Sequence, residues 1–94
     1  MSALFEKIKR LVREDKFLIG LHASERMLER NTIEWQVVAE LEQGELLDDN
    51  LDALPNPLVE VKEMLPDGTE FKAVWSYLSH SDVAKLVTVH FFDR

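Results

Sequence analysis

The chain has 94 residues, 46% of them hydrophobic and 31% charged, with no cysteine and a formal net charge of −7; its pI is about 4.8. That length sets one domain with one modest core, the mixture is that of a globular protein, and the lack of cysteine excludes disulfides and thiolate metal sites. Residues 1–30 hold seven of the eleven Lys and Arg against five acids, whereas residues 31–94 hold four against thirteen. Tight, indiscriminate binding to nucleic acid is disfavoured, because phosphate affinity grows with the number of phosphates neutralised. Between Asn31 and Val61 there is no Lys or Arg, yet Glu34, Glu40, Glu42, Glu45, Asp48, Asp49 and Asp52 all fall there. Such a segment repels polyanions and suits a basic protein partner. The N-terminus lacks the unbroken apolar run of a signal peptide and no stretch approaches a membrane span, so the expectation is a cytoplasmic protein with no membrane contact.

In chain order, Ser2 caps a first helix through about Asp15, with Leu4, Phe5, Ile8, Leu11 and Val12 on one face. Phe17, Leu18, Ile19 and Leu21, broken by Gly20, read as a connector. A second helix from Ala23 to about Arg30 turns Ala23, Met27 and Leu28 inward, and Asn31 is its left-handed terminator. Thr32 then caps a third helix with Ile33, Val37, Val38 and Leu41 as its stripe and Gly44 as its stop. Beyond Gly44 the period changes to two. "ELLDD" reads as a short edge strand guarded by its charges, followed by the proline-broken "LDALPNP" loop. Leu58–Leu65 and Thr69–Leu78 flank Pro66-Asp67-Gly68 as a hairpin, and "VAKLVTVHFF" adds a last strand in a meander after the "SHSD" turn. Helices followed by an antiparallel sheet make an α+β domain. Alternation groups Phe71, Ala73, Trp75 and Tyr77 on one strand face, and Val87, Val89 and Phe91 opposite Leu86, Thr88, His90 and Phe92 on the last strand.

His22, Arg26 and Arg30 recur every fourth residue and so share one side of a helix. Arginine offers a planar, permanent charge for phosphate, and histidine exchanges protons near neutral pH; together they fit acid–base phosphodiester chemistry. The alternative is a solvated face on which Glu25 and Glu29 accompany the arginines while His22 caps or packs at the helix start. His90 shares a strand face with Thr88 and meets Lys72 if the meander register permits. A histidine, a lysine and a threonine beside helical arginines would be a metal-independent ribonuclease site. His80 falls in an exposed turn; Trp75 and Tyr77 are either base-stacking or core residues. Asp48, Asp49 and Asp52 lack the spacing of a calcium loop, and there is no nucleotide-binding glycine loop, His-Glu-x-x-His motif or serine elbow. Neither a metal nor a cofactor is expected.

The stretch "HASERMLERNTIEWQVVAELEQGELL", with its His-Ala, Arg-Met, Arg-x-Ile and Val-x-x-x-Leu-x-x-Gly pattern, resembles the start of the bacterial domain of unknown function 4258, and "KLVTVHFF" resembles that family's closing strand. The likeness covers residues 17–92 and leaves the helix in residues 1–16 as an addition. "HAxxRMxxR" starts are also similar to BrnT-like toxins and, more distantly, to RelE and barnase-type ribonucleases. The resemblance implies about three helices packed on a three- to four-stranded antiparallel sheet and a ribonuclease of a toxin system. It implies His22 as proton-transfer group, Arg26 and Arg30 as phosphate clamp, and Thr88 or His90 from the final strand as helpers, with RNA as substrate and an antitoxin-like protein as partner; Lys72 joins them only through the meander register. Two departures accompany it: the chain is acidic where RelE-type toxins are basic, and Asn31-Thr32 replaces the glycine those toxins commonly carry before the isoleucine. A second reading of the same fold is a non-catalytic interaction module that binds a basic protein through the Glu40–Asp52 flank or a sheet face.

Overall fold

The computed structural model describes residues 2–92. Helix α1 (Ala3–Arg13) starts where expected: Ser2 Oγ accepts the Phe5 N–H at 3.1 Å. Leu4, Phe5, Ile8 and Leu11 are buried beneath it. It ends two residues earlier than its apolar spacing suggested, because Asp15 adopts φ 62° and the N–H groups of Asp15 and Lys16 return to the carbonyls of Val12 and Leu11. That is a Schellman closure with Asp in the left-handed position.

The presumed connector is a strand. β1 (Phe17–Ile19) pairs in parallel with β5 (Val83–Phe91), and Gly20 N–H extends the ladder to the Leu86 carbonyl at 2.8 Å. A Cβ on Gly20 would stand 2.9 Å from that same carbonyl oxygen, so the chain can enter α2 (Leu21–Glu29) this close to β5 only with glycine. α2 therefore begins at Leu21, two residues before the expected start. Asn31 does terminate it, at φ 54°, in a second Schellman closure: Asn31 N–H bonds to Leu28 O and Thr32 N–H to Met27 O at 2.8 Å. Thr32 is consumed by that closure and does not cap the next helix. α3 (Glu34–Glu40) takes Ile33 as its N-cap, with no side-chain bond.

A 3-10 turn, Leu41–Gln43, separates α3 from β2 (Glu45–Asn50). Gly44 there is extended, at φ −71°, so left-handed freedom is not the reason for glycine. A Cβ would collide with Val61 Cγ1 and press on the Leu41 carbonyl oxygen, which makes Gly44 a close-packing glycine. β3 (Leu58–Met64) and β4 (Glu70–Leu78) form the expected hairpin around Pro66–Gly68, where Gly68 has φ 92°.

The sheet is five-stranded and mixed, in the order β1-β5-β4-β3-β2, where three to four antiparallel strands were expected. Parallel β1 closes one edge, and the acidic β2 closes the other as anticipated. α1 crosses β5, β4, β3 and β2, α2 runs beside β5, and α3 rests on β3. One core joins them, centred on Ile8, Leu11, Met27, Val61, Phe71, Trp75 and Leu86. Leu28 and Ile33, expected inward, face solvent, because Ala23 and Met27 alone supply the buried positions of α2 and the Thr32 closure carries Ile33 outside the stripe.

The last strand departs from strict alternation. Val74 pairs with Thr88 but Trp75 pairs with Leu86, leaving Val87 as an extra, bulged residue. Ala84 and Leu86 consequently share the core face with Val89 and Phe91, while Val87 joins Thr88 outside.

Candidate functional site

α2 carries His22 and Arg26 one turn apart, and Arg30 follows as its C-cap residue. His22 is exposed and Arg26 half-buried. Arg30 sits at the end of the helix with its guanidinium 4.5 Å from the centre of the Phe91 ring, a cation–π contact on the helix-covered side of the sheet.

β4 and β5 bring a second set together on the other side. Lys72 and His90 are direct cross-strand partners, and Thr88 lies two residues from His90 on the same face. Because Phe71, Ala73, Val89 and Phe91 are buried in the core, the alternating Lys72 and His90 point away from the helices. Lys72 Nζ reaches Glu60 Oε1 at 3.4 Å, and the exposed His90 ring packs edge-on against Phe92. Glu60 is an acid that alternation on its own strand did not single out; only the β3–β4 register discloses it. Arg30 and His90 thus occupy opposite faces of β5, and the arginines of α2 do not join Lys72, Thr88 and His90 in one cleft.

Arg30 belongs to a different hollow. Asn31, Thr32 and Gln36 at the α2–α3 corner face Leu65, Pro66, Asp67 and Thr69 of the hairpin turn, with Phe91 as floor, around about 240 Å³. Asp67 accepts the Thr69 N–H at 2.9 Å, and that bond holds its carboxyl below the usual carboxylate range. A carboxylate beside the arginine makes this a mixed-charge hollow, unlike a phosphate clamp.

No family model, curated protein or solved structure matches the chain.

Among the described residues no three His, Asp or Glu side chains gather in a way that would hold a metal ion. Asp48 and Asp49 on β2 and Asp52 in the following loop are all exposed and form no ion pair among the described residues. Trp75 is fully buried, edge-on to Phe17, so base stacking is closed to it; the half-buried Tyr77 donates its hydroxyl to Asp82 at 2.8 Å, with Lys7 over its ring. His80 lies in the exposed turn as expected. No helix is long and apolar enough to cross a membrane among the described residues.

Two groups escaped the sequence reading. Glu63 follows Val59 and Val61 on the core face of β3 and is only 2% exposed, with neither carboxylate oxygen hydrogen-bonded. Burial pushes its carboxyl up to about 9, opposed by the neighbouring Trp75 indole and reinforced by Glu40. The other is a hollow of about 380 Å³ between β1 and α3, lined by Asp15, Phe17, Ile19, Glu34, Trp35 and Val38. Val-Glu-Val-Lys-Glu looks like ordinary strand alternation for the first, and the second joins β1, which reads as a connector, to a face of α3 outside the Ile33, Val37, Val38 and Leu41 stripe.

Proposed function

We propose that this chain is a protein-interaction module whose acidic flank docks a basic partner. The observation that carries this reading is the run of exposed carboxylates on β2 and its loop, Glu45, Asp48, Asp49 and Asp52, which form no ion pair among the described residues and lie on an edge of the sheet with no Lys or Arg between residues 31 and 61. An edge strand presents open backbone groups, and its charges bar a second acidic edge while attracting a cationic one. A fluorescent Lys-rich peptide titrated at low and high salt tests it. Combined Asp48→Asn, Asp49→Asn and Asp52→Asn is expected to weaken binding about tenfold, since exposed pairs contribute roughly 0.2–1 kcal/mol each and 1.4 kcal/mol is tenfold. Equal affinity in parent and variant would remove the flank from the account.

A second reading keeps the ribonuclease, with the resemblance to RelE- and BrnT-like toxins and the facing Lys72, His90 and Thr88 in its support. Here the chemistry belongs to the outer sheet face: His90 transfers a proton, Lys72 stabilises developing negative charge and Glu60 is the second acid–base group. RNA incubated with the protein in EDTA should then be cleaved, with His90→Ala lowering the rate by roughly 100-fold or more and Arg26→Ala leaving it intact. Absence of cleavage by the parent protein rules this reading out.

A further inference from the structure

We infer that the hollow walled by Phe17, Ile19, Trp35 and Val38 and rimmed by Asp15 and Glu34 is a docking site for the apolar face of a basic amphipathic helix from a partner protein, a site that rests on the interaction-module reading above. Single exposed apolar side chains are ordinary, but clusters of them mark interaction surfaces. Trp35 is 67% exposed although it stands on a helix whose Val37 is wholly buried, so the largest apolar side chain of α3 has been left outside the core. Leu21 and Leu28, 76% and 78% exposed, flank Ser24 on one side of α2. Ser24 Oγ donates to Glu34 Oε2 at 2.9 Å, which draws that side of α2 to the start of α3, where Ile33 and Trp35 are exposed. Glu34 thus belongs both to the rim of the hollow and to the side of α2 that exposes Leu21 and Leu28, which sets the two leucines beside the hollow.

The chemistry of the rim selects the occupant. Two carboxylates border the hollow, and among the described residues no Lys or Arg lines it. A second copy of this chain would bring another net charge of −7 and the same two carboxylates against them, so like-charge repulsion opposes self-association. A partner with apolar residues flanked by Lys or Arg meets both demands. The spacing favours a helix over a strand. Leu21 and Leu28 are roughly 10 Å apart along α2, a separation that anchors at i, i+3 or i+4 and i+7 of a helix can match. A strand added to β1 would cover the three residues Phe17–Ile19 and leave the leucines bare.

The test is a labelled amphipathic Leu/Lys helical peptide, with a scrambled isomer of identical composition as its partner probe, titrated into the full chain. Binding of the amphipathic peptide at least tenfold tighter than its isomer is expected, together with a blue shift of Trp35 emission. Trp35→Ala is expected to weaken binding at least tenfold and Trp35→Phe to restore most of it, with circular dichroism showing both variants folded. Equal affinity for the two peptides, or undiminished binding by Trp35→Ala, overturns the site. If Trp35→Ala binds normally while the Asp48, Asp49 and Asp52 variant does not, the acidic-flank reading stands and this site falls; the reverse pattern retains the site and removes the flank. A monomer–dimer equilibrium in sedimentation that Trp35→Ala abolishes would give the hollow to a second copy and also overturn the proposal.

Discussion

Replacing Glu63 with Gln is expected to stabilise the protein increasingly as pH rises, and to flatten a decline in stability that the parent shows between about pH 4.5 and 9. Glu63 is buried, its two oxygens lack hydrogen bonds, and its carboxyl is raised from 4.5 to about 9. Below 4.5 the group is protonated in both folded and unfolded chains and makes no difference. Above it the unfolded chain releases the proton while the folded chain retains it, so unfolding gains free energy with every further unit of pH until the folded carboxyl itself ionises. At 1.36 kcal/mol per unit, the loss by pH 7 is on the order of 3 kcal/mol, a large share of the 5–15 kcal/mol that holds a typical domain together. Gln keeps the shape without an ionisable proton. Urea midpoints of both proteins from pH 5 to 9 decide the matter: the difference should widen with pH. Parallel curves would show that Glu63 is ionised within the fold.

Trp75→Ala is expected to cost about 3–5 kcal/mol, enough to bring a domain of this size near unfolding. Trp75 is the largest wholly buried side chain, and its ring meets Phe17 edge-on at 6.4 Å, tying β4 to β1 across β5. Its Nε1–H is buried beside the Glu63 carboxyl, with no hydrogen bond of good geometry among the described residues. Trp75→Phe should cost less than half as much, since it keeps a ring in the core. The readout is the urea midpoint by far-UV circular dichroism. A loss under about 1 kcal/mol for Trp75→Ala would contradict the burial that places this ring at the centre of the core.

Much of this architecture was legible because its signals are local. Ser2, Asn31, Gly68 and the proline-broken loop each act within a few residues, and all do what their chemistry suggests. The parallel strand β1 was not legible: three residues carry no period, and their pairing with Ala84, Lys85 and Leu86 is a tertiary event. Alternation also failed at Val87, because an inserted residue reverses the phase of a strand without altering its composition. For the candidate site, spacing correctly set His22 and Arg26 one turn apart on α2 and anticipated Lys72 facing His90. It could not tell that Arg30 rests on Phe91 while His90 turns the other way, because a sheet separates neighbours in sequence onto opposite faces. The exposed Trp35 and the buried Glu63 invert the environments usual for their residue types, although periodicity leaves Trp35 off the apolar stripe of α3 and sets Glu63 in phase with Val59 and Val61.

The central claim, an acidic module for a basic partner, is tested most directly by nitrogen-15 NMR of the full chain titrated with the Lys-rich peptide. Perturbations are expected over β2 and the following loop, at residues 45–52, and in the preceding 3-10 turn, Leu41–Gln43, fading as salt is raised. Perturbations confined to the outer sheet face around Lys72, Thr88 and His90, or none at all, would contradict it.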